Sequence, residues 1–380
     1  MKPFHLVVLS VSAGAGHLRA AAAVCEQAQA AGLASTHIDV MHQVPAWFRW
    51  LYADLYGTLV NRAPLLWRWL YGRMNHAGRH GRLQRLRRLL EHRLSARWLA
   101  QVAALAPDAI LCTHFLPAEV LARHAGAGGA ACPIFVHVTD FDLHAMWVQP
   151  GVDGYFVGCD EVAFQLRRAG VAGACITVSG MALMQAFALA TPSPQGLQHY
   201  FEGAALPLLP VVLLMGGGGG FGGLEQLARQ LLEAESGFRL LVVAGKNEAA
   251  LAALQALAPA WPGRLAALGF TDQVATLMGG ADIVITKPGG LTSAECLAVG
   301  VAMIVNAPIP GQEERNADYL LEQGVALKAV DAVTLAWRLR QLLAHPQQRR
   351  AMAARARSLG RPAAARQIVE AIVGRRKAAS

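Results

Sequence analysis

Asp282-Ile-Val-Ile-Thr-Lys-Pro-Gly-Gly-Leu-Thr-Ser-Ala-Glu295 reads as a strand, a sharp turn and the start of a helix. The apolar run ends at Thr286. Lys287-Pro288-Gly289-Gly290 supplies the turn, and a helix begins near Leu291. The first N–H groups of such a helix, together with Lys287, can neutralise a diphosphate without a metal ion. Glu295 falls on the first turns of that helix. A carboxylate there can accept two hydroxyl hydrogen bonds from a ribose. The strand expected at Ala302–Asn306 is followed by Pro310-Gly311-Gln312-Glu313-Glu314-Arg315-Asn316, which returns to the same sheet edge. Adjacent amide and carboxylate groups, Gln312 and Glu313 with Asn316 beyond them, suit sugar hydroxyls.

Working outward, the surrounding pattern is a doubly wound one. Strands are expected at Pro210–Met215, Leu240–Ala244 and Leu265–Gly269, separated by helices near 223–235 and 247–258. Strands alternating with helices mean βαβ units and a parallel sheet. The run Met215–Gly223 (MGGGGGFGG) follows one strand and precedes a helix, so Gly217, Gly218 and Gly219 can admit a phosphate or sugar beside backbone N–H groups. The run lacks the Lys-Ser/Thr ending of a P-loop, which argues against an ATPase.

The first half carries the same pattern independently. Phe4–Val11, Ala109–Thr113, Pro133–Thr139 and Gly154–Gly158 read as strands, and Gly14–Ala31 as a helix. Ser12-Ala13-Gly14-Ala15-Gly16-His17 opens that helix. It lacks the third glycine of a dinucleotide fingerprint, so its informative residue is His17. A histidine at a helix start on the functional edge of a sheet can serve as general base toward a hydroxyl, or simply cap the helix. Prolines at 192, 194, 207 and 210 mark the boundary between the halves.

Residues 44–100 interrupt the first pattern. They bring Trp47, Trp50, Trp67 and Trp69, then ten arginines over 61–100, Arg85 and Arg88 among them, against the single acid Glu91. Aromatic rings beside guanidinium groups suit a membrane interface carrying anionic lipid, although a helical subdomain with a solvated basic face has the same composition. No nucleic-acid-binding motif accompanies the charge, so no nucleic-acid partner is expected. The composition is 54% hydrophobic and 16% charged with a net charge of +9, which fits a globular α/β protein and argues against disorder. No apolar run is long enough to span a bilayer, and the start reads as a first strand rather than a signal peptide. The six cysteines form no CxxC pair or Cys/His cluster, so neither a zinc site nor a disulfide framework is expected.

These residues resemble the monogalactosyldiacylglycerol synthase and processive diacylglycerol glucosyltransferase family, relatives of MurG. The likeness runs from about residue 5 to 325. It rests on residues 282–318, on Gly269-Phe270-Thr271-Asp272, on the glycine-rich His17 motif, on Thr113-His114-Phe115, and on Thr139-Asp140-Phe141 with His144, Trp147 and Tyr155-Phe156-Val157. It implies a GT-B fold, two Rossmann-like α/β domains facing a cleft, and an inverting, metal-independent enzyme. UDP-glucose or UDP-galactose would be the donor, a substrate rather than a cofactor, and a lipid such as diacylglycerol the acceptor. The resemblance puts uracil near Phe270 and ribose on Glu295. It puts diphosphate on Lys287, Pro288, Gly289 and Gly290, and sugar hydroxyls on Gln312 and Glu313. His17 corresponds to the candidate base, and Asp140 to a carboxylate orienting that base or the acceptor. Gly14, Gly16, Trp147 and the aromatic-basic insertion fall on the acceptor and membrane side. Gly180-Met181-Ala182 departs from the family's Gly-Ile-Pro.

The expected organisation is an acceptor and membrane domain over 1–190, a nucleotide-sugar domain over 205–345 and a helical tail over 346–380. The expected location is the cytoplasm, peripherally on the inner face of the cell membrane. Three rivals remain at this level: an epimerase or hydrolase of UDP-sugars, a MurG-like transferase acting on another acceptor, and a non-catalytic protein of the membrane surface that senses UDP-sugars.

Overall fold

The computed structural model describes residues 3–12, 14–50, 66, 69, 82–126, 132–190, 194–201, 209–216 and 223–379. The chain divides into two compact units. One comprises 1–185 with 310–312 and 363–380; the other comprises 186–309 with 313–362.

The first unit is built on a six-stranded parallel sheet in the order β2-β1-β3-β4-β5-β6. Its strands are β1 (His5–Ser10), β2 (Ala34–Asp39), β3 (Ala109–Cys112), β4 (Ile134–His137), β5 (Gly154–Val157) and β6 (Ile176–Val178). Strands β3, β4 and β5 are buried at every residue, which explains their unbroken apolar sequence: a parallel sheet covered on both faces has no polar side. Between them run α1 (Ala15–Ala30), the short α2 (Ala46–Arg49), α3 (Arg82–Leu105), α4 (Phe115–Gly126) and α5 (Asp160–Arg168). Helix α1 buries Ala20, Ala21, Ala23, Val24 and Ala28, so its alanine-rich composition is a close-packing surface.

The second unit repeats the plan in the order β12-β11-β10-β7-β8-β9. Its strands are β7 (Val211–Met215), β8 (Arg239–Gly245), β9 (Leu265–Gly269), β10 (Ile283–Thr286), β11 (Ala302–Asn306) and β12 (Ala326–Ala329). Its helices are α6 (Leu224–Ala234), α7 (Glu248–Leu257), α8 (Val274–Gly280), α9 (Gly290–Val299), α10 (Gln312–Glu322), α11 (Ala332–Ala344) and α12 (Pro346–Leu359). One core cluster joins Val212, Leu214, Ile283, Ile285 and Ile304 of the sheet to Leu231 of α6 and Leu335 and Leu339 of α11.

The stretch 346–380, expected as one tail, is divided. Helix α12 packs on α9 in the second unit, where Gly360 is needed: a Cβ there would lie 2.4 Å from the Leu297 carbonyl oxygen. Helix α13 (Ala364–Ala379) packs on α1 in the first unit. Its Arg375 donates to the carbonyls of Asp153 at 3.0 Å and Ala174 at 3.1 Å, across the space that Gly154 leaves by having no side chain.

Both strand orders contain one point where the direction of winding reverses. In the first sheet it lies between β1 and β3, in the second between β7 and β10. Ligands of open α/β sheets bind outside the carboxyl ends of the strands at such a point. The two segments that leave the first reversal point are Ser12–His17 after β1 and Thr113–Phe115 after β3. The two that leave the second are the glycine run after β7 and Lys287–Gly290 after β10. Topology alone therefore selects the same motifs as the residue patterns do.

Candidate active site

His17 lies in the first turn of α1, and its ring is anchored from the end of β3 and from the segment after β4. Its Nδ1 is 2.8 Å from the carbonyl oxygen of Thr113 and 3.1 Å from the hydroxyl oxygen of Thr139. A carbonyl oxygen only accepts, so Nδ1 carries the proton and Nε2 presents its lone pair. The Thr113 hydroxyl donates back to the carbonyls of His17 at 3.0 Å and Leu9 at 3.3 Å, which ties β1, α1 and β3 together. Burial lowers the His17 pKa to about 4, partly opposed by the Thr113 hydrogen bond. His17 is therefore a neutral base at neutral pH.

The ring sits in an aromatic setting. His114 stands edge-on to it at 4.6 Å between centroids, and Trp147 lies 6.3 Å away. His114 accepts the Leu116 N–H at Nδ1, and burial followed by the nearby His17 keeps it neutral. His137 accepts the Ala182 N–H at Nε2, which leaves its Nδ1–H to face the Phe156 carbonyl at 3.3 Å. Its pKa also falls to about 4, through burial first. Of these three histidines, His17 is the one carried in the first turn of a helix at the reversal point of the sheet.

The structure places two more of the expected residues of this unit. The hydrogen-bond partners of the His17 ring are Thr113 and Thr139, and Asp140 lies half-buried one residue beyond Thr139. Trp147, grouped with the acceptor and membrane residues, is 2% exposed and packs edge-on against Phe115 at 5.8 Å, beside the histidine cluster. The Thr113 and Thr139 contacts were missed by sequence reasoning. The motifs containing both threonines were visible, but no spacing rule brings two neighbouring strand ends onto one ring nitrogen.

Gly14 is the N-cap of α1. Its φ of −165° is ordinary extended backbone, and a Cβ placed on it would meet nothing within 4 Å. Neither strain nor packing explains a glycine there. It leaves open room at an uncapped helix N-terminus, beside the half-buried Gly16 and His17.

In the second unit, Lys287, Pro288 and Gly289 form the turn after β10, and Gly290 opens α9. Gly289 is the N-cap, with no side-chain cap and no acidic residue in the first turn, and a Cβ on it too would meet nothing within 4 Å. The arrangement is a positive helix end that faces open space among the described residues, with the partly exposed Lys287 beside it. Glu295 is 2% exposed on α9, and Asn316 is fully buried on α10. Glu313 accepts the Ile309 N–H at 2.8 Å, which folds the 307–313 loop against the start of α10. Burial raises its pKa, while that hydrogen bond and then the charge of Lys287 pull it down. Lys287 and Glu313 therefore sense one another at the carboxyl ends of β10 and β11. Gln312 is half-buried at the first position of α10. Ala307 in this loop has φ +43°, a strained conformation for a residue with a side chain. Phe270 is 72% exposed after β9, with the Lys246 ammonium 5.4 Å from its ring centroid. Gly217, Gly218 and Gly219 lie outside the described residues.

Of the insertion residues, Trp47, Trp50 and Trp69 are 54%, 58% and 57% exposed. Trp67 lies outside the described residues. Arg85 and Arg88 fall within α3, where only the backbone is described. Among the described residues no helix is long and apolar enough to cross a membrane.

The chain matches solved structures along nearly its whole length. Acinetobacter baumannii MurG superposes with a TM-score of 0.63 at 18% identity, covering 98% of this chain and 100% of that one. Anabaena Alr3699/HepE, solved with UDP and glucose, gives 0.57 at 14% identity, covering 97% and 99%. The fold is GT-B.

Residues 17–183 match the monogalactosyldiacylglycerol (MGDG) synthase family, and residues 220–359 match glycosyl transferases group 1. The chain is 33% identical over 221 residues to the processive diacylglycerol beta-glucosyltransferase of Bacillus pumilus, covering 58% of this chain and 56% of that protein. The enzyme of the same name from Bacillus subtilis is 32% identical over 222 residues, with the same coverage. The matched stretch thus spans a little over half the length of these relatives. The two family models thus fall on separate stretches, the first within residues 1–185 and the second within 186–362.

Proposed function

We propose that the protein is an inverting, metal-independent glycosyltransferase that moves a hexose, glucose or galactose, from its UDP-sugar to a lipid acceptor such as diacylglycerol. The observation that carries the reading is the state of His17: Nδ1–H held by the Thr113 carbonyl, Nε2 unprotonated, at the reversal point of the first sheet. The names of the diacylglycerol glucosyltransferase relatives support the acceptor, and the UDP and glucose held by one neighbour of the same fold support the donor.

In this mechanism Nε2 of His17 takes the proton of the acceptor hydroxyl as that oxygen bonds to the anomeric carbon. The bond from that carbon to the UDP oxygen breaks on the opposite side, and the electron pair leaves with UDP. Lys287 and the first N–H groups of α9 stabilise the charge that develops on the diphosphate. Glu295 accepts from the ribose hydroxyls, Phe270 lies beside uracil, and Gln312, Glu313 and Asn316 serve the sugar. Gly217, Gly218 and Gly219 line the donor phosphates, and Asp140 faces the acceptor. The exposed Trp47, Trp50 and Trp69, with Arg85 and Arg88, hold the enzyme on an anionic membrane surface, on the inner face of the cell membrane. The test is UDP release from UDP-glucose and from UDP-galactose, each with and without diacylglycerol in anionic vesicles. Lipid-dependent release from one donor is expected; release independent of lipid would favour an epimerase or hydrolase.

A further inference from the structure

We infer that Thr139 is a positioning residue for His17, and that a neutral carbonyl–hydroxyl pair, Thr113 O with Thr139 Oγ1, holds the base where a carboxylate would otherwise do so. The inference rests on the proposed role of His17 as the base.

Donor and acceptor roles decide the arrangement. Thr113 O at 2.8 Å fixes the proton on Nδ1. The Thr139 hydroxyl, 3.1 Å from the same nitrogen, therefore meets an N–H and can only accept from it. The Nδ1–H is shared between the two oxygens, which determines both the tautomer and the direction in which Nε2 points. Thr113 is fully buried and Thr139 is 5% exposed, so water does not readily replace either acceptor. His114, edge-on at 4.6 Å, limits rotation of the ring from the side. When Nε2 takes the acceptor's proton the ring becomes an imidazolium, and both Nδ1–H contacts become charge-assisted and stronger. Two neutral oxygens stabilise that cation less than a carboxylate would. His17 therefore gives up its proton readily and returns to the basic form even in mildly acidic conditions.

The test uses the full chain with three substitutions at one position, and His17→Ala alongside. Thr139→Val keeps the shape and removes the acceptor, Thr139→Ser restores it, and Thr139→Asp installs a carboxylate. Two readouts are taken: kcat and KM with UDP-glucose and UDP-galactose on diacylglycerol vesicles, and the ¹⁵N resonances of the His17 ring across pH without ligands. Thr139→Val is expected to lower kcat about tenfold with donor KM unchanged, the scale of one lost hydrogen bond to a charged group. Thr139→Ser should recover most of that loss. Thr139→Asp should move the ring's titration and the acid limb of kcat/KM to higher pH, a shift that a purely structural residue would not produce. An unchanged kcat in Thr139→Val, or a His17 titration that Thr139→Asp does not move, overturns the inference. If Thr139→Val does not fold, the Thr139→Asp titration decides alone. Retained turnover in His17→Ala refutes the base assignment itself, whereas a dead His17→Ala beside a fully active Thr139→Val refutes only the role of Thr139.

Discussion

The carbonyl oxygen of Thr113 lies 2.8 Å from Nδ1 of His17, and the Thr113 hydroxyl donates to the His17 carbonyl at 3.0 Å. One residue at the end of β3 thus holds both the ring and the backbone of the residue proposed to do the chemistry. With the base clamped in this way, His17→Ala should lower kcat roughly 10²–10⁴-fold, the usual worth of a positioned general base. UDP affinity, which the proposed mechanism gives to Lys287 and α9, should stay within about twofold when measured by calorimetry. Loss of UDP binding in His17→Ala would contradict the assignment.

The same burial that keeps His17 neutral fixes an acid limit on activity. Its pKa of about 4 places the fall of kcat/KM near that pH, well below the ordinary histidine value of 6.5. A pH–rate profile with its acid limb near 6.5 would mean that another histidine controls the rate.

Stability should weaken over a related window. His17 and His137 have folded pKa values of about 4, while their unfolded forms titrate near 6.5. Between those values the unfolded chain binds more protons, so stability is full above about pH 6.5 and is lost as pH falls toward 4. For the buried His137 the shift corresponds to on the order of 3 kcal/mol. Melting temperatures measured at neutral pH, between the two pKa values and close to the lower one should decline in that order. His137→Gln should flatten the decline.

Lys287 faces the donor phosphates in the proposed mechanism and also lowers the pKa of Glu313. Lys287→Ala should weaken UDP binding roughly 10–100-fold, as expected for a lost charge-assisted contact. It should also raise the Glu313 pKa further, readable as an upward shift in the pH dependence of donor binding. Unchanged UDP affinity would remove Lys287 from the site.

The aromatic residues of the first domain should separate by exposure. Trp47→Ala and Trp50→Ala, which change exposed rings, should reduce sedimentation with anionic vesicles and leave the melting temperature nearly unchanged. Trp147→Ala should leave vesicle binding intact and destabilise the fold by about 3–5 kcal/mol, the cost of truncating a buried aromatic residue. Equal vesicle losses in all three would show that folding, not surface contact, governs the association.

Much of the fold was legible because buried parallel strands announce themselves as apolar runs, from β1 with its LVVL core to β11 with AMIVN. Three strands escaped that reading. β2 (ASTHID), β6 (ITV) and β12 (ALKA) each lie at an edge of a sheet and are only partly buried, so their sequences carry little hydrophobic signal. The glycine-turn-helix motifs were legible for a different reason. Glycine is an acceptable N-cap and adds no side chain, so a glycine-rich helix start stands out as one that leaves its first N–H groups accessible. The partners of His17 were not legible. Thr113 and Thr139 become its neighbours only through the β1-β3-β4 register, and a threonine at a strand end looks the same whether or not its oxygen holds a ring. The burial of Trp147 was not legible either, since the motif that carries it does not say which way the ring packs. The division of the C-terminal helices also needed the structure, since Arg375 finds its carbonyl partners 201 and 222 residues earlier in the chain.

The decisive measurement is of the lipid product itself. The full chain is incubated with UDP-glucose or UDP-galactose and diacylglycerol in anionic vesicles, and the lipid fraction is examined by mass spectrometry and by proton NMR of the anomeric signal. The expected product is a diacylglycerol carrying added hexose in β linkage, formed from one of the two α-linked donors and absent with His17→Ala. An α-linked product would contradict the inverting displacement. Consumption of donor with no lipid product would contradict the transferase reading as a whole.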